Sequence, residues 1–173
     1  MIEIDGLTKR YGRHTVVDNL SFRCESGEVL GFLGPNGAGK STTMKMVTGF
    51  VSPSSGSAKV CGHDIATDGL AARQQIGYLP EGEPLYAEMT QGTFLDFVAD
   101  IRELDGSQRK ERLDEVIERL HLGPVLHQSI ETLSKGLKRR VGLAQAILQD
   151  PDVLILDEPN DGLDPNHNHE VRE

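Results

Sequence analysis

The stretch from Gly34 to Ser41 constrains this chain most, because it matches the P-loop pattern G-x-x-x-x-G-K-[ST]. In that pattern the glycine-rich backbone turns its N–H groups around phosphates, the lysine reaches the β- and γ-phosphates, and the hydroxyl binds Mg²⁺. An apolar, strand-like run at 28–33 precedes the motif, and a helix is predicted at 41–48 directly after it. This order of strand, loop and helix predicts a site for a nucleoside triphosphate.

The candidate phosphate-binding residues are the motif itself and the residue after it: Gly34, Pro35, Asn36, Gly37, Ala38, Gly39, Lys40, Ser41 and Thr42. Lys40 is also a candidate catalytic residue, and Ser41 is a candidate Mg²⁺ ligand. A glycine-rich turn can also be a plain corner between a strand and a helix. The complete pattern between those two elements favours phosphate binding.

Composition limits the classes of partner that the chain is expected to bind. The 173 residues carry a formal net charge of -9, which argues against general binding to a nucleic-acid backbone, since that needs a basic face. The two cysteines, Cys24 and Cys61, form no CxxC pattern and are expected to be reduced thiols in a cytosolic protein. No apolar run approaches the ~20 residues of a membrane helix, so any membrane role is expected to come through a partner.

Besides the run at 28–33, three further regions with strand patterns bear on the fold class. Alternating apolar residues predict a hairpin-like start within 2–22, and a further strand at 76–80 is ended by a proline. The third region, 153–156, has four consecutive apolar residues, which is typical of a strand buried on both faces of a parallel sheet. These patterns predict an α/β fold.

Helical periodicity dominates the region between the last two strands. Apolar residues recur at helical spacing in 94–101 and again in 113–120, and both segments are predicted to be amphipathic helices. Residues 84–148 are therefore predicted to form a helical subdomain inserted between two parts of an α/β core, 1–83 and 149–173.

Two carboxylates, Asp157 and Glu158, directly follow the strand at 153–156. Ligands of open α/β sheets bind at the carboxyl ends of the strands. We expect Asp157 to hold Mg²⁺, directly or through water, and Glu158 to polarise the attacking water. Alone the pattern fits a plain strand end equally well, but beside an intact P-loop it favours catalysis.

A third motif, Leu-Ser-Lys-Gly-Leu at 133–137, lies between the P-loop and Asp157. Ser134 is a good N-cap residue, and an apolar stripe follows it, so a helix is predicted to begin here. With the P-loop upstream and the two carboxylates downstream, this stretch resembles the signature motif of ATP-binding cassette (ABC) proteins, whose usual form is Leu-Ser-Gly-Gly-Gln. The resemblance extends from residue 2 to the last residue.

The resemblance implies further roles. On spacing alone Tyr11 fits a surface or edge tyrosine, but it matches the family's aromatic residue that stacks on adenine. Ser134 and Gly136 match the helix start that faces the γ-phosphate held by the other subunit of a head-to-tail dimer. Asp157 and Glu158 match the Mg²⁺ carboxylate and the catalytic glutamate. Residues 162–164 match the loop at the dimer seam.

An α/β P-loop ATPase is therefore expected, with a RecA-like parallel core, an antiparallel β start and an inserted helical subdomain. The resemblance implies the ATP-binding and ATP-hydrolysing subunit of a transporter, with ATP and Mg²⁺ bound between two such subunits. The helical subdomain is expected to grip an integral membrane permease, so that the protein lies in the cytoplasm on the inner face of the cell membrane. The Leu-Ser-Lys-Gly form looks most like exporter ATPases that serve drugs, polysaccharides and gliding motility. No nucleic-acid partner is expected.

The chain departs from the family pattern at three places. Glu81 stands where glutamine is usual after the strand that ends at Pro80, and it is a candidate Mg²⁺ ligand. Lys135 and Leu137 replace the glycine and glutamine of the signature, while the serine and second glycine are kept. The family's switch histidine lies on a further strand, whereas this chain stops at Glu173.

His167 and His169 lie too near Glu158 to take the role of the switch histidine. Weak hydrolysis by this chain is therefore expected. Two alternatives stay open: an ABC ATPase that acts on DNA or ribosomes without a membrane partner, and a nucleotide-binding module with little turnover.

Overall fold

The computed structural model describes residues 1–82 and 85–158. The chain divides into two compact units. The first unit comprises Met1–Tyr78 and Asp152–Ile155, and the second comprises Leu79–Pro151 and the chain from Leu156 onward. No helix among the described residues is long and apolar enough to cross a membrane. The predicted division into 1–83, 84–148 and 149–173 stays a prediction.

An antiparallel sheet of four strands begins the first unit. The strands lie in the order β2-β1-β3-β4 and are β1 (Ile2–Tyr11), β2 (His14–Cys24), β3 (Ser55–Val60) and β4 (His63–Asp64). β1 pairs with β2 on one edge and with β3 on the other, both antiparallel. The hairpin predicted from the alternating pattern within 2–22 is present.

Two more strands form a second sheet, β5 (Ile76–Leu79) and β6 (Val153–Leu156). The Val153 N–H donates to the carbonyl of Gln75 at 3.0 Å, and the Asp157 N–H donates to the carbonyl of Leu79 at 2.8 Å. Because donor and acceptor advance along both strands in the same direction, the two strands are parallel.

Two helices of the first unit pack against its strands. They are α1 (Lys40–Val47) and α2 (Gly69–Gln74), and α1 confirms the helix predicted after the P-loop motif. The buried core joins both helices to the strands, and its members are Ile4, Leu7, Val17, Met46, Val47, Ala58, Val60, Ala72, Ile76, Val153 and Ile155.

Two expectations about strands are wrong. The run at 28–33 forms no strand among the described residues, and Val29 and Leu33 are almost fully exposed. A strand needs ladder hydrogen bonds from a neighbour, and none of the described strands pairs with this run. In β6, Val153 and Ile155 are buried but Leu154 is 43% exposed, so one face alone is covered among the described residues.

The second unit is helical. Its helices are α3 (Gln91–Ile101), α4 (Gly106–Arg119) and α5 (Lys135–Ile147), which confirms the helices predicted around 94–101 and 113–120 and the helix start at Ser134. Short 3₁₀ turns lie at Gly123–Val125 and Ile130–Thr132. The buried core of this unit consists of Phe94, Leu95, Val98, Ala99, Leu104, Val116, Leu122, Ile130, Leu133, Val141, Ala144 and Leu148.

Candidate nucleotide-binding and catalytic site

The P-loop lies in the first unit and ends where α1 begins. Gly37 and Gly39 both have left-handed backbone, with φ of 83° and 86°. A Cβ atom at Gly39 would lie 2.5 Å from the carbonyl oxygen of Val16 on β2, whereas one at Gly37 would meet nothing within 4 Å. Glycine is therefore required at Gly39 by both its conformation and the close approach of β2.

Helix α1 presents its first turn without a side-chain cap. Gly39 is the N-cap residue and forms no side-chain hydrogen bond, while its carbonyl accepts from the N–H of Thr43 at 2.8 Å and from Thr43 Oγ1 at 2.9 Å. The first N–H groups of a helix have no partner within the helix, and the helix dipole is positive at this end. The segment from Gly34 to Thr42 therefore has the backbone of an anion-binding site.

Lys40 lies across the loop that precedes it. Its Nζ donates to the carbonyl oxygens of Gly34 at 2.8 Å and Pro35 at 3.0 Å. Both acceptors are neutral, and a phosphate oxygen is a stronger, charged acceptor. The ammonium group is thus held at the loop by bonds that a phosphate can replace.

Tyr11 lies in the same unit at the end of the first hairpin, where it pairs with His14. Its side chain is 51% exposed, and Lys9 Nζ lies 5.0 Å from the centroid of its ring. β2 begins at His14 and carries Val16, the residue whose carbonyl lies against Gly39. An exposed aromatic ring therefore lies on the hairpin that also supports the P-loop, and such a ring can stack on a base.

Asp157 and Glu158 belong to the second unit and directly follow β6. Asp157 is only 2% exposed, and its Oδ2 has no hydrogen-bond partner among the described residues. A buried carboxylate oxygen without a partner is unfavourable, and hard divalent cations prefer such oxygen ligands. The residues present therefore fit Mg²⁺.

No cluster of three or more His, Cys, Asp or Glu residues suited to a metal occurs in 1–82 and 85–158. Mg²⁺ usually binds through one or two carboxylates together with substrate phosphates, so a single buried carboxylate is in keeping with this ion.

Arg139 joins the two loops of the second unit that carry acidic candidates. Its guanidinium is buried, with the residue 3% exposed, and donates to the carbonyl oxygens of Pro80 at 3.0 Å, Asp157 at 2.6 Å and Glu158 at 2.7 Å. Pro80 directly precedes the exposed Glu81. The structure therefore places Glu81, Asp157 and Glu158 on two loops whose backbone carbonyls accept hydrogen bonds from the same guanidinium, that of Arg139.

Arg139 was not among the residues predicted from the sequence motifs. Its spacing in the sequence places it on one helix face with Gly142 and Ala146, at i, i+3 and i+7. The structure shows that all three residues of this face of α5 are buried. This stripe is separate from the apolar one that includes Val141 and Ala144.

Ser134 and Gly136 lie at the beginning of α5. Ser134 is its N-cap residue, with Oγ accepting from the N–H of Leu137 at 3.3 Å, and Ser134 is exposed. The candidate dimer-seam loop at 162–164 and the histidines at 167 and 169 lie outside the described residues.

Three comparisons with known proteins agree. The sequence model of the ABC transporter family matches residues 17–161. The chain is 42% identical over 173 residues to an uncharacterized ABC transporter ATP-binding protein, YhcH, of Bacillus subtilis (strain 168), covering 100% of this chain and 56% of that protein. It is 36% identical to the Nod factor export ATP-binding protein I of Ralstonia nicotianae, covering 100% of this chain and 54% of that protein. The chain thus spans about half the length of these relatives.

Among solved structures, one described as the ATP-binding subunit of an ABC transporter aligns with a TM-score of 0.91 at 32% identity. The alignment covers 99% of this chain and 71% of that one. This likeness confirms the predicted fold class, an α/β P-loop ATPase.

Proposed function

This chain belongs to the ABC transporter family, and we propose on that premise that it is the ATP-binding and ATP-hydrolysing subunit of an exporter with a separate membrane permease. Members of the family bind and hydrolyse ATP. The observation that carries the proposal is the P-loop, whose left-handed Gly39 leads into a helix with an uncapped first turn. Export is supported by the similarity to a relative named for Nod factor export.

The first unit supplies the residues that bind the nucleotide. The backbone N–H groups of the segment from Gly34 to Thr42, in which Pro35 has none, receive the phosphates. Lys40 exchanges its bonds to Gly34 and Pro35 for bonds to the β- and γ-phosphates. The exposed ring of Tyr11 stacks on adenine.

The second unit supplies the acidic residues. Asp157, with its unpartnered Oδ2, and the hydroxyl of Ser41 are the proposed ligands of Mg²⁺, and Glu81 is a further ligand. When bound, Mg²⁺ neutralises the negative charge that builds up on the phosphates. Glu158 is exposed and accepts the proton of the attacking water as the general base.

The remaining assignments concern partners. Ser134 is the N-cap residue of α5 and Gly136 lies in its first turn, and the N–H groups at this helix start suit the γ-phosphate bound by a second ABC subunit. Residues 84–148 are the proposed helical subdomain that contacts the permease, on the inner face of the membrane.

Replacing Lys40 tests the binding site. Lys40→Ala removes a charged hydrogen-bond donor, and such bonds contribute about 1.5–3 kcal/mol, so ATP affinity should fall about 10- to 100-fold. Titration with a fluorescent ATP analogue measures the effect. Lys45→Ala is the matched control, because Lys45 lies on the same helix, is exposed and has the same charge. Equal affinities of Lys40→Ala and the control would place the nucleotide elsewhere.

A further inference from the structure

The Arg139 guanidinium is a buried charge that donates hydrogen bonds to backbone carbonyls. Three carbonyl oxygens accept from it at 2.6–3.0 Å, two of them in the consecutive residues Asp157 and Glu158. Burying a guanidinium is unfavourable unless its donors are satisfied. Arginine offers five donors in a fixed plane, whereas lysine presents one rotating ammonium group. The site therefore calls for arginine specifically.

The backbone that Arg139 holds is itself strained. Glu158 has a φ of 51°, in the left-handed region that favours glycine. Other residues with this conformation, such as Glu103 and His121, directly follow the C-cap residues of α3 and α4, where it is common. Glu158 follows a strand and has no such helix end. Strained backbone persists where the surroundings hold it in place, and the bond from Arg139 to the Glu158 carbonyl does so.

We propose that Arg139 is a positioning residue for hydrolysis. It holds the strained backbone of Glu158, so that the carboxylate of this general base stays oriented toward the attacking water. It also holds the carbonyl of Pro80, which fixes the backbone position from which Glu81 extends. This inference rests on the proposed ATPase function. In this role Arg139 acts through the backbone of Glu158. Its loss should therefore slow turnover while leaving ATP binding at the P-loop intact.

The test uses ATP hydrolysis by the full-length protein with Arg139→Gln. A misplacement of about 1 Å can cost about 100-fold in rate, so kcat should fall about 10- to 100-fold while KM and the dissociation constant of a non-hydrolysable ATP analogue stay close to those of the wild type. Arg139→Lys keeps the charge but not the planar fork, and should give an intermediate kcat.

Arg112→Gln is the matched control. Arg112 also fastens backbone of the second unit, donating to the carbonyls of Leu148 at 3.0 Å and Ile147 at 2.8 Å near the end of α5. It contacts none of the carbonyls that Arg139 holds. This variant should lower the melting temperature and leave kcat essentially unchanged. An equal loss of kcat in both variants would show that Arg139 merely stabilises α5, and would overturn the inference.

A double-mutant cycle with Glu158→Gln separates positioning from general stability. Because Arg139 acts through Glu158, adding Arg139→Gln to Glu158→Gln should lower the residual rate little further. Full additivity of the two losses, or an unchanged kcat in Arg139→Gln alone, would refute the role. If Arg139→Gln does not fold, the kcat and cycle of Arg139→Lys decide by the same criteria. An inactive wild-type protein would instead refute the proposed function.

Discussion

Alanine substitutions at two glycines of the P-loop would measure how closely β2 supports it. Gly37 and Gly39 have nearly equal φ values, 83° and 86°, so alanine at either position carries a similar conformational cost of about 1–2 kcal/mol. The two positions differ in how closely other atoms approach a Cβ placed there. A Cβ at Gly39 would lie 2.5 Å from Val16 O and 3.0 Å from Val17 Cγ2, while Gly37 has nothing within 4 Å.

The close contact at Gly39 adds a second cost. Overpacking of this kind typically costs about 1–3 kcal/mol, so Gly39→Ala should lose about 2–5 kcal/mol of unfolding free energy in total. Gly37→Ala should lose only the conformational cost of about 1–2 kcal/mol. Urea unfolding followed by circular dichroism, without nucleotide, measures both values. If the two variants prove equally stable, β2 does not support the loop as the structure shows.

Two further predictions concern the carboxylates. Asp157→Asn should weaken the dependence of nucleotide binding on Mg²⁺. The melting temperature of this variant without metal should equal or exceed that of the wild type, because the substitution removes a buried charge whose Oδ2 has no partner among the described residues. A large loss of metal-free stability would contradict the assignment of Asp157 as a metal ligand. Glu158→Gln should retain ATP and hold the proposed dimer closed, which size-exclusion chromatography with ATP would show as a dimer, and a strictly monomeric profile would argue against a composite site.

The features that the sequence predicted correctly depend on local chemistry. The helix after Lys40, the N-cap at Ser134 and the first hairpin each follow from residues within a few positions of one another. The P-loop motif is also local, since its glycines and lysine are contiguous. Such patterns can be interpreted without knowing the rest of the fold.

The features that it did not predict depend on residues distant in sequence. The run at 28–33 has the composition of a strand, but a strand also needs a neighbour, and composition does not say which one lies beside it. The exposure of Leu154 depends likewise on what covers that face of β6. Arg139 reaches carbonyls at Pro80 and Asp157, far along the chain, so its partners could be identified only from the structure.

ATP binding and phosphate release, measured together on wild-type and Glu158→Gln forms of the full-length protein, test the central claim most directly. Loss of a positioned base typically slows a reaction by about 100-fold or more, so both forms should bind ATP equally while only the wild type releases phosphate at an appreciable, Mg²⁺-dependent rate. Equal rates in the two forms would show that Glu158 is not the general base. Absence of ATP binding by the wild type would contradict the account as a whole.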